Sequence, residues 1–135
     1  MSLSNYIVGE SYPELGGVYT GIVSNDKHLV LAVKDNSREA TWLASNVYHR
    51  SGWTLPALEE LKQLQAVFDR KTMVLLQHPF STGAFYWSGT LGPHVDPQVL
   101  SCKAYAVEFA KGTVKEVSCF HKLKVRLIKL VPCSN

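Results

Sequence analysis

The chain lacks most of what would mark a membrane protein, a metal site or a common hydrolase. Its longest apolar runs, such as Leu29 to Val33 and Met73 to Leu76, fall far short of the roughly 20 residues a bilayer-crossing helix needs, so no membrane insertion is expected. Three cysteines, Cys102, Cys119 and Cys133, form an odd number with no C-x-x-C spacing and no nearby histidine pair, which argues against zinc and against a full disulfide framework. Charge of either sign is scarce too. Fourteen Lys and Arg against eleven Asp and Glu give +3, enough to assist approach to an anionic surface but too little to specify one. The opening MSLSNYIVGES has neither a basic n-region nor an apolar core, so no secretory signal is expected. A cytoplasmic location follows, unless the chain belongs to a virion or a cell-surface particle. In a reducing compartment free, partly buried thiols are the favoured state of the cysteines, although Cys102 and Cys119 can also pair across neighbouring strands.

What is present suits one globular domain over residues 1–135. With 46% apolar residues the chain can bury roughly two-thirds of the surface its unfolded form exposes. GGVYTGIVS (16–24) and HLVLAVK (28–34) are rich in β-branched residues around Asn25-Asp26-Lys27, which predicts a hairpin. DNSREATWLASNVYHR follows, with Asn36 and Glu39 spaced as a capping box and Ala40, Leu43, Ala44, Val47 and Tyr48 on one helical face. In TLPALEELKQLQAVFD, Pro56 suits a first helical turn, and Leu58, Leu61, Leu64 and Phe68 form an apolar stripe. Short strands are then expected at 73–77, 84–90, 104–110, 113–120 and 123–131, with turns at Lys111-Gly112 and His121-Lys122; the back half reads as an antiparallel meander. The irregular stretches 78–83 and 91–101 remain, and loops of the second one's length commonly carry function.

Three phrases in this order are familiar together. They are Gly52-Trp53-Thr54-Leu55-Pro56 with Glu59-Glu60-Leu61, then Tyr86-Trp87-Ser88-Gly89-Thr90, then Ala104-Tyr105-Ala106-Val107-Glu108-Phe109 with Gly112 and Val125-Arg126. The chain thereby resembles, over roughly residues 16–131, the family typified by the C-terminal domain of the Legionella collagen-like adhesin. That family carries G-W-x-L-P-S/T-x-x-E-L, Y-W-S-S-S/T and A-x-x-x-x-F-x-x-G…V-R phrases. Ala57, Gly89 and Leu127 depart from it, standing where the family has Ser or Thr, Ser, and often Cys. The resemblance implies an α+β, C-type-lectin-like fold, also similar to formylglycine-generating-enzyme domains: two helices on a small, twisted antiparallel sheet with the chain ends close together. Related folds occur in adhesins and phage tail-tip proteins, where a loop-rich face displays the binding residues. Trp53, Leu55, Leu61 and Trp87 would be core residues, with Trp53 under the second helix and Tyr86-Trp87 filling the opposite side of the same core.

Catalytic and metal chemistry find little support. The five histidines are scattered, no G-x-S-x-G is present, and Glu59-Glu60 face different directions on a helix, so no enzyme is expected. The stretch His94-Val95-Asp96-Pro97-Gln98 offers one carboxylate, whereas calcium needs six or more oxygens. No metal or cofactor is expected. Lys111, Lys115, Lys122, Lys124, Arg126 and Lys129 crowd the last strands, with Lys124 and Arg126 on one face near Tyr105 and Phe120. That pattern could bind nucleic acid, but it is read here as lysine protection of outer strands. The expected function is a non-enzymatic binding module, an adhesin or a phage tail-fibre or virion protein. His78, Phe80, Ser81, Phe85, His94, Asp96 and Gln98 on the two loops would contact a cell-surface glycan or protein. The alternative is a structural assembly protein joining subunits of a larger particle, as a homo-oligomer or with other subunits.

Overall fold

A computed structural model describes residues 6–24, 26–36, 38–46, 52–68, 76–92, 102–109 and 111–132. The chain order is β1 (Ser11–Tyr12), β2 (Gly17–Ser24), β3 (Lys27–Leu31), α1 (Trp42–Asn46), α2 (Leu58–Val67), β4 (Phe85–Leu91), β5 (Lys103–Glu108), β6 (Val114–Ser118) and β7 (Ile128–Pro132). The result is a small α+β domain, mostly β, with two antiparallel sheets in the orders β1-β2-β3-β7 and β4-β5-β6.

The hairpin β2–β3 forms as its composition requires, with Val18 opposite Leu31 and Ser24 opposite Lys27. Asp26 sits in the left-handed region at φ 60°, a conformation that aspartate tolerates better than most residues. The second helix follows its apolar stripe. Leu61, Leu64 and Phe68 are buried and Leu58 is partly so. Pro56 stands just outside this helix: Ala57 is the N-cap residue, and its N–H donates to the Glu60 carboxylate at 2.8 Å.

The first helix differs from expectation. It begins at Trp42, not near Asn36, and the Thr41 hydroxyl accepts from the Ala44 N–H as its cap. Ala40 precedes it, tied into a backbone bridge with Leu123, so the supposed Asn36–Glu39 capping box is not a helix start. Trp42 is buried and Leu43 is 50% exposed, the reverse of the face read from the sequence. Val47, Tyr48 and most of the expected strand 73–77 lie outside the described residues.

The meander holds for three strands and then stops. The Lys111-Gly112 turn closes β5–β6, Gly112 donating to the Glu108 carbonyl at 3.0 Å. A turn also follows β6, where the His121 N–H donates to the Ser118 carbonyl. The chain then leaves this sheet, and β7 pairs with β3 instead. Residues 123–128 do the stitching, each bonded to a different part of the fold. Leu123 exchanges bonds with Ala40, Lys124 with Phe85 and Trp87, Ile128 with Thr54, and the Val125 and Leu127 carbonyls accept from Asn36 and Ala32.

Two apolar clusters result, not one. Tyr86 and Trp87 are adjacent in a strand and so point to opposite faces of the β4-β5-β6 sheet. Tyr86 joins Leu29, Leu31, Leu61, Phe68 and Phe109 on one side; Trp87 joins Trp42, Leu55, Ala104, Ala106 and Val125 on the other. Both indole N–H groups are satisfied, Trp42 donating to the Ser88 carbonyl and Trp87 to the Ala40 carbonyl. Leu55, Leu61 and Trp87 are therefore interior as expected, but Trp53 is not. It is only partly buried, lying by Gly17 and the Lys129 ammonium, 6.0 Å from its ring centroid. Gly17 makes that approach possible: a Cβ there would lie 2.6 Å from the Leu31 carbonyl oxygen and 3.1 Å from the Trp53 ring.

Cys102 and Cys119 are joined as a disulfide across the start of β5 and the end of β6, with Cα atoms 5.5 Å apart. The favoured reading of free thiols is thus corrected: neighbouring strands bring the two residues into register beside the Lys103–Ser118 pair, which spacing along the chain does not reveal. Closing 17 residues of chain restricts the unfolded state by about 3 kcal/mol. Replacing both cysteines by serine is accordingly expected to lower the melting temperature by several degrees, with reduction having the same effect on wild type and none on the double variant in calorimetry.

Candidate functional site

At the centre of the described structure lies a charge. Arg126 is 1% exposed, so its guanidinium cannot be left to water and must be met from within. Its Nε donates to the Ala32 carbonyl at 3.0 Å, Nη2 to the Val33 carbonyl at 2.7 Å and Nη1 to the His78 carbonyl at 2.6 Å. Asp35 completes the set, its Oδ1 3.7 Å from Nη1. The cation also lies over the Phe80 ring, 4.6 Å from its centroid. One side chain thus fixes two backbone segments, 32–35 and 78–80, side by side.

Tyr86 locks the same region from β4. Its hydroxyl donates to Asp35 Oδ2 at 2.6 Å and accepts from the Ser81 N–H at 2.7 Å. Burial, reinforced by the bond to Asp35, pushes the phenol upward, so Tyr86 stays protonated and is no general base. Burial also raises the Asp35 carboxyl, outweighing the opposing pull of the Tyr86 hydrogen bond and of Arg126 and Lys124. Arg126 is lowered by desolvation, against the field of Asp35.

The loop so anchored is the first of the two singled out from sequence. His78 and Pro79 are exposed, Ser81 is partly buried, and Thr82 and Gly83 are exposed. Phe80 requires correction as a contact residue: it is 2% exposed, stacked on Phe109 with centroids 3.8 Å apart and edge-on to Tyr86. An aromatic residue between proline and serine looks like part of a loop surface, yet here it is the loop's root. Phe85 is partly buried under the Lys115 ammonium, 5.1 Å from its ring centroid. His94, Asp96 and Gln98 lie outside the described residues.

The two loops leave opposite ends of β4. Phe85 pairs with Glu108, beside the β5–β6 turn, where the Gly83 N–H donates to the Phe109 carbonyl; Leu91 pairs with Ala104 at the other end. Glu108 and Ala104 are four residues apart along β5, so at about 3.3 Å per residue the two points of departure lie about 13 Å apart, the irregularity between Trp87 and Leu91 taking up the extra length of β4. The surface next to loop 78–83 is instead formed by segment 32–41. A cleft of about 800 Å³ is lined there by Lys34, Asp35, Asn36, Arg38, Glu39 and Lys122 among others.

Arg126 and Asp35 were missed as site residues. Strand alternation put Arg126 with Lys124 on an outer basic face, and the structure corrects this, because 123–127 is not a regular strand and Arg126 turns inward. The apolar residues around it, Val125, Leu127 and Ile128, were the one local sign of burial. Among the described residues no group of three or more His, Cys, Asp or Glu could hold a metal ion. The chain matches no protein-family model, and no curated protein matches it significantly.

Truncating Arg126 orphans three carbonyls and Asp35. Arg126→Ala is expected to cost about 3–5 kcal/mol in denaturant unfolding. Arg126→Lys should cost less but not restore wild-type stability, since a point ammonium cannot replace the planar fork. Because the Asp35 value is raised in the folded state, its protonated form stabilises the fold; that contribution is complete below the unfolded carboxylate range and is lost as pH rises through the raised value. Wild-type stability measured relative to Asp35→Asn should therefore fall across that window as pH increases.

Proposed function

We propose that this domain is a non-enzymatic binding module with a C-type-lectin-like fold, serving in an adhesin or in a phage tail-fibre or virion protein. It grips a cell-surface glycan or protein through loop 78–83 and the adjoining cleft. The observation that carries this reading is the clamp. Loop 78–83 presents His78, Pro79 and Thr82 outward while Phe80, Arg126 and Tyr86 hold it from beneath. A surface fixed in advance loses less entropy on binding than a floppy one, which is what a recognition loop on a rigid scaffold needs.

The order of elements supports the lectin-like assignment. The resemblance implies two helices on a small, twisted antiparallel sheet with the chain ends close together, and the β3–β7 pairing brings the last strand beside the first hairpin. The loop at 91–101, departing from the far end of β4, would make a separate contact. Against catalysis, the ionisable groups Tyr86, Asp35 and Arg126 are committed to one another, and Tyr86 is held protonated.

A glycan array and a panel of host-surface proteins, read alongside light scattering, test this proposal. Binding by a monomer is expected, weakened about tenfold or more by His78→Ala combined with Thr82→Arg, with an unchanged melting curve because both positions are exposed. A stable homo-oligomer or a co-purifying subunit, with no binding to either panel, would favour an assembly role instead.

A further inference from the structure

Segment 32–35, held by Arg126 through the Ala32 and Val33 carbonyls and the Asp35 side chain, has a hollow on each side of Val33. On one side a cavity of about 230 Å³ has the buried Val18 and Leu76 as apolar walls and the exposed Glu10, Ser11 and Gln77 among its polar lining. On the other lies the 800 Å³ cleft with Lys34, Arg38 and Lys122. Val33 lines both.

The two hollows carry opposite charge. Among the described residues the ion pairs formed are Glu59–Lys62 and Asp35–Arg126, and neither Glu10 nor the three cations joins an ion pair there. Among the described residues that line the small cavity, Glu10 is the one ionisable group. Among its described lining residues the cleft holds three cations against Glu39, since Asp35 is matched by Arg126, which leaves these residues at +2.

We infer that this pair of hollows binds a protein segment that crosses Val33, with a lysine or arginine side chain seated beside Glu10 and a carboxylate side chain over Lys34, Arg38 and Lys122. The inference rests on the binding role proposed above and narrows it to a protein ligand. A long basic side chain suits the small cavity twice over: its methylene stem packs on Val18 and Leu76, and its head donates to the Glu10 carboxylate and the Ser11 and Gln77 oxygens. A neutral sugar answers neither charge. An acidic sugar answers the cleft but leaves Glu10 unmatched, and a nucleic acid would set its phosphates against both Glu10 and Glu39. Only a chain bearing both signs of charge matches both hollows at once.

A peptide array tests this directly. Nonapeptides on an alanine-serine background would carry one arginine and one aspartate, one to five residues apart in either order, beside controls with only one of the two and a glycan array. Wild-type protein should retain doubly charged peptides of favourable spacing about tenfold better than either control, less so at high salt. Glu10→Gln should abolish the preference for arginine and keep that for aspartate; Lys34→Glu with Arg38→Glu should do the converse. These positions are exposed, so melting curves should not change, and the wild-type array pattern carries the test on its own if a variant unfolds. Retention indifferent to peptide charge, or unaltered by Glu10→Gln in a folded variant, overturns the inference. Glycan binding without peptide binding overturns it while leaving the binding role standing; silence on both arrays, with no binding to the host-protein panel, overturns both.

Discussion

A cation removed from water must be fully met by its surroundings, and Arg126 sets that demand at the centre of the described structure. Its partners come from Ala32, Val33, Asp35 and His78, residues up to 94 positions away in the chain. None of these carbonyls belongs to a sheet ladder, so without the guanidinium they would lose the partner it supplies. The segments they belong to are irregular because the side chain replaces the hydrogen bonds that a strand or helix would give them. An irregular loop on a small domain needs such a substitute: it can keep an unusual path only if something beneath it satisfies its backbone.

The alternation of β4 has an equally wide reach. Two large aromatic residues in succession cannot share one core, and here the strand turns this to use by sending Tyr86 and Trp87 to opposite faces. Helix α2 packs on the Tyr86 side between the two sheets, while α1 contributes Trp42 to the Trp87 side. The short first helix survives despite its single turn because Trp42 is bonded at both ends, the backbone N–H to the Cys119 carbonyl and the indole to Ser88. Helix propensity alone would not hold five residues in this form.

Local elements were legible in the sequence; partnerships were not. The hairpin at 17–31, the stripe Leu58-Leu61-Leu64-Phe68 and the Lys111-Gly112 turn depend on neighbours within a few residues, and all three appear. The failures share one cause. Ala40 fits a helical period but is claimed by Leu123; Arg126 fits strand alternation but is claimed by three distant carbonyls; Cys119 fits a free thiol but lies opposite Cys102. Trp53 belongs with them: it reads as an interior pillar after Gly52, yet it is a partly covered ring beside Gly17 and Lys129. Of the candidate site, loop 78–83 was identified, but its inward-facing Phe80 was mistaken for part of the surface. Residue type gives no direction for a side chain whose backbone is neither helix nor strand.

The outer strand β6 ends the smaller sheet, and among the described residues no strand pairs with its far side along Val114–Ser118, an invitation to dimerise edge to edge. Symmetry limits that invitation. A two-fold axis normal to a sheet keeps each face on its own side, so some residue must always meet its own copy across the seam. The register that joins all five residues of β6 centres on Glu116 and sets two carboxylates against each other. Sliding the strands until Val117 meets its twin leaves only residues 116–118 in register, so a closed pair along this edge must accept either repulsion or a short seam.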